Sequence, residues 1–204
     1  QVMAGGDLVD TGEDLDELRA GDDRVVQVVV GGRLGDCPEG RFAPLPQQGA
    51  LLRIGGDDSV TVVVDKSEMG QGVATALPML VAEELECDWS RVTTEYPTPG
   101  QNLARDRVWR SFSTGGSQGI RGSHLYVRKG GAVARHMLIE AAAEQWGVPM
   151  EECQAANSVI THVPSGRTTT YGKVATAAAE LFPPEQVDLK DPKDWKLIGK
   201  PVKR

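Results

Sequence analysis

The chain has 204 residues, 22 Lys+Arg against 29 Asp+Glu, a net charge of −7 and 24 glycines. It is long enough to bury one real core, and its acidic balance argues against nucleic acid or an anionic membrane as the main partner. No apolar run approaches the ~20 residues of a membrane span, and three widely spaced cysteines, Cys37, Cys87 and Cys153, exclude a zinc ribbon and a disulfide scaffold.

Residues 1–24 hold eight acids and two bases, while the other 180 hold 21 acids and 20 bases. The acidity therefore belongs to a leader, which reads either as a solvated tail or as an arm ordered by a partner. Val25 to Val30 is a β-branched run and predicts a strand. Gly31 to Gly49, rich in Gly, Pro and Gln, reads as a connector. Residues 1–49 are thus leader, strand and connector, 50–184 the body, and 185–204, with Pro192 and Pro201, an extended exit segment.

In the body, Leu51–Ile54 and Val60–Val64 flank the turn Gly55-Gly56-Asp57-Asp58 and predict a β-hairpin. A helix is expected from Thr75 to Cys87, with Leu77, Leu80, Val81 and Leu85 on one face. Pro78 places its start, because proline is tolerated in a first turn. Glu83, Glu84 and Glu86 then fall on the solvent side. A strand follows at Arg91–Tyr96. The second unit opens with the glycine-rich loop Thr114–Gly119 and continues into a long helix, Ser123 to Trp146, with Val127, Ala134 and Leu138 inward. Ala155–His162 predicts one strand and Thr168–Thr170 its partner. Tyr171–Leu181 predicts a shorter helix ended by Pro183-Pro184. The fold class is α+β: two units of glycine loop, helix and strand, with the two loops side by side.

A glycine-flanked polar residue at a helix start offers bare amides at the positive helix end, which suits an anion, above all a phosphate. Gly70-Gln71-Gly72 has this form, and Gln71 adds both a donor and an acceptor. Thr114-Gly115-Gly116-Ser117 repeats it with hydroxyls. Neither loop is a P-loop or a dinucleotide fingerprint, and a tight structural turn is the alternative for each. Arg105, Arg107, Arg110 and Arg121 surround the second loop and read as phosphate partners or as a solvated surface. His124, His136 and His162 are scattered and suit structural roles, no Ser-His-Asp set assembles, and Met69 reads as packing.

The stretch SVTVVVDKSEMGQGVATALPMLVAEELECDW (Ser59–Trp89) resembles molybdenum hydroxylases of the xanthine dehydrogenase family, most of all large subunits of the isoquinoline 1-oxidoreductase and aldehyde dehydrogenase type. STGGSQGIRGSHLYVRKGGAVARHMLIEAAAEQWGVP (Ser113–Pro149) and WKLIGKPVKR (Trp195–Arg204) match the same group. The resemblance covers about residues 50–204. It implies a molybdopterin-binding half-domain in which Gly70, Gln71, Gly72, Thr114, Gly115, Gly116 and Ser117 contact the cofactor, with Arg121 at its phosphates. It also implies a molybdopterin cytosine dinucleotide, [2Fe–2S] clusters on a separate small subunit, a small-molecule substrate and export to a bacterial periplasm, with the cytoplasm as the alternative. The family's glutamate base, its G-G-G-F-G loop and its hammerhead-like domain have no counterpart in these residues, so the chain is expected to be a split subunit, with the remaining large subunit as its partner chain, or a fragment of such a subunit. Two other readings compete. One is a non-catalytic assembly or protein-interaction domain derived from the family; the other is a free-standing nucleotide-binding protein, which rests on the glycine loops alone.

Overall fold

The computed structural model describes residues 25–30, 50–104, 107, 109, 112–184 and 186–202, with the backbone alone at 25–30, 50, 51 and 104. The leader and the connector assigned to 31–49 lie outside the described residues, as does Cys37.

The β-branched runs pair as expected. Strands β1 (Val25–Val30), β2 (Ala50–Gly55) and β3 (Val60–Val63) form an antiparallel meander. Strand β4 (Val92–Glu95) adds to β3 in parallel, from Val60↔Val92 to Val63↔Glu95. Parallel neighbours need a crossover, and helix α1 (Val73–Leu85) supplies it. A second, antiparallel sheet holds β5 (Cys153–Ala156), β6 (Val159–His162) and β7 (Arg167–Thr170). Here the single strand expected over Ala155–His162 is a hairpin. Asn157 (φ 50°) and Ser158 (φ 63°) both adopt the left-handed conformation of a two-residue turn. Two short helices, α2 (Pro99–Ala104) and α3 (Gln118–Arg121), lead to the long α4 (His124–Trp146), and α5 (Tyr171–Glu180) follows β7. No described helix is long and apolar enough to cross a membrane.

Helix α1 begins at Val73, ahead of the start inferred from Pro78, so the proline is the sixth residue of the helix. A proline there leaves the carbonyl four residues back without its usual donor. That carbonyl, on Ala74, accepts the Thr94 hydroxyl from β4 at 3.3 Å. The crossover thus repairs its own defect through the strand it leads to.

The apolar faces of α1 (Leu77, Leu80, Val81, Leu85) and α4 (Val127, Ala134, Leu138) are buried together, as their periodicity predicts. Their closeness depends on Gly131, where an added Cβ would stand 2.5 Å from the Val81 carbonyl oxygen and 3.0 Å from the Glu84 Cβ. Tyr171, wholly buried at the start of α5, donates its hydroxyl to the Leu85 carbonyl at 2.6 Å and closes the far end of α1.

The solvated face expected for Glu83, Glu84 and Glu86 is a correction. Glu83 and Glu84 are buried, because residues 190–198 fold back across that side of α1. Glu83 accepts the backbone amides of Lys196 (2.9 Å), Leu197 (2.7 Å) and Ile198 (3.1 Å), and the Lys190 ammonium at 3.1 Å. Glu84 pairs with Arg128 of α4 at 2.6 Å and accepts the Lys190 amide at 3.1 Å. Arg128 in turn donates to the Lys190 carbonyl and stacks its guanidinium 5.3 Å from the centre of the Trp195 ring. Every buried charge in this cluster has a counter-charge or amide donors, as burial requires.

Replacing Gly131 with Ala should lower the unfolding free energy by about 1–3 kcal/mol, the scale of overpacking at a close helix contact. Urea unfolding checks this, and unchanged stability would count against the packing described. Acid should also loosen residues 190–198. Burial pushes the Glu83 pKa up, but the Lys196, Leu197 and Ile198 amides and the Lys190 ammonium outweigh it and bring it below the ordinary 4.5. Its contribution is therefore complete above pH 4.5 and disappears as the pH falls through the lower folded value. Hydrogen exchange, corrected for intrinsic rates, should show the Lys196–Ile198 amides losing protection in that window before the α4 core does.

Candidate functional site

The segment between β3 and α1 carries the first glycine loop. Gly70 (φ 96°) and Gly72 (φ 78°) are left-handed, and neither backbone position would crowd a Cβ against another atom. Glycine is required there by conformation, not by packing. The loop is stiffened from within. Gln71 accepts the Met69 amide on Oε1 at 2.5 Å and donates Nε2 to the Ser67 carbonyl at 2.7 Å. That leaves one Nε2 hydrogen and one Oε1 lone pair for a ligand. Met69, read as packing, is instead 69% exposed on the loop.

The amides of this loop are not bare, which corrects the reading of a vacant helix end. Glu68 accepts Gly70 N (2.8 Å) and Gly72 N (2.9 Å) on Oε1 and Ala74 N (2.9 Å) on Oε2. Those donations, led by Ala74 and then Gly72, hold its carboxyl below the ordinary glutamate pKa. Sequence reasoning passed over Glu68; its signal was an acid just ahead of a helix start, where the dipole and free amides favour one.

The second loop lies against the first. Thr114 Oγ1 accepts the Ser67 amide at 2.9 Å, joining loops 47 residues apart. A Cβ on Gly119 would stand 3.4 Å from Val73, so α3 also rests on the first turn of α1. Beneath this junction the buried Asp65 takes the Lys66 ammonium and, at 3.4 Å, the Tyr126 hydroxyl, which lies 3.1 Å from Ser123 Oγ. Gly70, Gln71, Gly72, Gly115, Gly116, Ser117 and Arg121 are all exposed on this one surface, with Thr114 half-buried at the seam.

One feature of the second loop lacks an internal reason. Gly115 neither takes a positive φ nor would crowd a Cβ, so the chain itself does not demand glycine there. Ser117 (φ 58°) and Gly116 (φ 57°) are the left-handed middle of a turn closed by the Gln118 amide on the Gly115 carbonyl at 3.0 Å, and the Ser117 hydroxyl does not cap α3. Bare backbone facing open space and a free-standing hydroxyl suit an oxyanion, with the exposed Arg121 four residues further on at the end of α3. The implied molybdopterin therefore fits the paired surface. A neutral hydrogen-bonding edge would suit Gln71, and an anionic group the open backbone of the second loop.

His162 is buried, with Nδ1 2.6 Å from Ser165 Oγ and Nε2 2.8 Å from Glu152, and closes the β6–β7 turn. Among the described residues no three His, Cys, Asp or Glu side chains gather as metal ligands. Burial pushes the Cys87 thiol up to about 12 and raises Cys153 as well, the opposite of what a ligand or nucleophile needs.

Comparison with known proteins shows the family of the chain. The model of a molybdopterin cofactor-binding domain matches residues 28–202. Isoquinoline 1-oxidoreductase subunit beta of Brevundimonas diminuta is 36% identical over 140 residues, covering 65% of this chain and 17% of that protein. The membrane-bound aldehyde dehydrogenase [pyrroloquinoline-quinone] of Gluconacetobacter polyoxogenes is 30% identical over 165 residues, covering 76% of this chain and 20% of that one. Among solved structures, quinoline 2-oxidoreductase from Pseudomonas putida 86 aligns with a TM-score of 0.43 at 16% identity, over 67% of this chain and 17% of that chain. The chain thus spans about a fifth or less of the length of the relatives it matches. It belongs to the molybdopterin cofactor-binding domain family.

Proposed function

We propose that this chain forms one cofactor-holding face of a molybdenum hydroxylase acting on an aldehyde or N-heterocycle. The observation that carries the proposal is the pair of loops joined by Ser67 and Thr114, with an open Gly115–Ser117 backbone beside Gln71. Gln71 offers its remaining N–H and lone pair to polar edges of the pterin, and Gly70 and Gly72 shape the turn that presents it. Thr114, Gly115, Gly116 and Ser117, with Arg121, receive the anionic end, in our reading the pyrophosphate of a cytosine dinucleotide. When bound, the molybdenum centre supplies two-electron oxidation with oxygen from water. In this reading the glutamate base and the substrate pocket come from the remaining large subunit, and electrons leave through [2Fe–2S] clusters on a small subunit. The periplasm is the compartment we assign.

In the assembled complex, Gln71→Ala and Ser117→Ala should each lower molybdenum and pterin retained after dialysis by about five- to tenfold, the scale of one lost hydrogen bond. Unchanged content and activity in both would favour an assembly or protein-interaction domain instead. The glycines separate ligand from turn. Gly72→Ala should cost the free chain about 1–2 kcal/mol because of its left-handed backbone. Gly115→Ala should leave the chain's thermal stability unchanged and still reduce cofactor retention. Equal stability losses from the two substitutions would mark Gly115 as an ordinary turn residue.

A further inference from the structure

Three amides at the entrance to α1 converge on one side chain of the chain itself. Gly70, Gly72 and Ala74 all donate to Glu68, at 2.8, 2.9 and 2.9 Å, and both carboxylate oxygens are used. These are the donors that a phosphate at this helix end would need. The carboxylate carries the same sign, sits on the same dipole and is tethered, so it competes at high effective concentration. The bonds also fix residues 70–74 on either side of Gln71, whose amide spans Met69 N and Ser67 O at 2.5 and 2.7 Å.

We propose that Glu68 is a built-in anion that closes the α1 end of the loop to phosphate and positions the Gln71 amide for a neutral ligand edge. The anionic end of any ligand is then turned toward the second loop, where the Gly115 and Gly116 backbone is open and Arg121 supplies charge. Glu68 is a positioning residue that acts through Gln71. The assignment of the internal anion stands on these bonds alone; only its consequence for cofactor rests on the proposed function.

The test uses the full chain, inorganic phosphate as probe, and the Gly70, Gly72 and Ala74 amide and Gln71 side-chain NH2 resonances at neutral pH. In the wild type the three amides should not respond to phosphate. Glu68→Ala should give them a saturable phosphate response and release the Gln71 NH2 from its exchange protection, and added formate should restore the wild-type signals. Glu68→Gln keeps the size without the charge, so it guards against a misfolded Glu68→Ala; it should show the same response in weaker form. A saturable wild-type response equal to that of the variants, or a Gln71 NH2 that stays protected in both, would overturn the proposal. In the complex, Glu68→Gln should cut retained cofactor about tenfold, as losses of supporting contacts do. The double substitution with Gln71→Ala should be no worse than Gln71→Ala alone. Additive losses would show that Glu68 does not act through Gln71. A wild-type complex without molybdenum or pterin would defeat the proposed function and leave the phosphate result standing.

Discussion

Helices α1 and α4 can meet only because residue 131 has no side chain. With the Val81 carbonyl 2.5 Å from where a Cβ would stand, any larger residue would push the helices apart. The rest follows from that contact. It brings Arg128 to Glu84, and the pair then receives the Lys190 backbone. It also sets α3 and the second glycine loop against the start of α1, so Ser67 and Thr114 meet. A helix–helix contact in the core therefore decides which loops share a surface.

The two loops have similar composition and different electrostatics. The first has its positive helix end neutralised from within by Glu68 and shows a ligand the neutral amide of Gln71. The second has no acid among Thr114–Ser117, keeps its backbone open and has Arg121 nearby. Such a surface suits an elongated ligand that is polar at one end and anionic at the other. A pterin carrying phosphates has that form.

Much of the fold was legible in the sequence because it is written in short-range patterns. Strands β2 and β3 flank a Gly-Gly-Asp-Asp turn, α1 and α4 repeat their apolar residues at helical spacing, and Gly147 ends α4 with φ 65°. Both loops were found as glycine motifs, and their apposition was anticipated. What was not legible depends on partners far along the chain. Glu83 and Glu84 look like a solvated stripe until residues 190–198, more than a hundred positions away, supply amides and a lysine. Pro78 was placed by a local rule, but the Thr94 hydroxyl sixteen residues later in sequence relaxes that rule. The split of Ala155–His162 into two strands went unseen because Asn157 and Ser158 form a tight turn without glycine. The role of Glu68 is not legible because it depends on a loop path that turns its carboxylate back onto the amides of Gly70, Gly72 and Ala74.

The proposed function requires that the joined loops hold a single cofactor between them. The most direct measurement is a crystal structure of the cofactor-loaded complex, with the metal located by anomalous scattering at the molybdenum edge. One pterin cofactor should touch both Gln71 and the Gly115–Ser117 backbone, with its phosphates toward Arg121 and Glu68 still bonded to Gly70, Gly72 and Ala74. A cofactor bound away from either loop, or a phosphate in place of the Glu68 carboxylate, would contradict this arrangement.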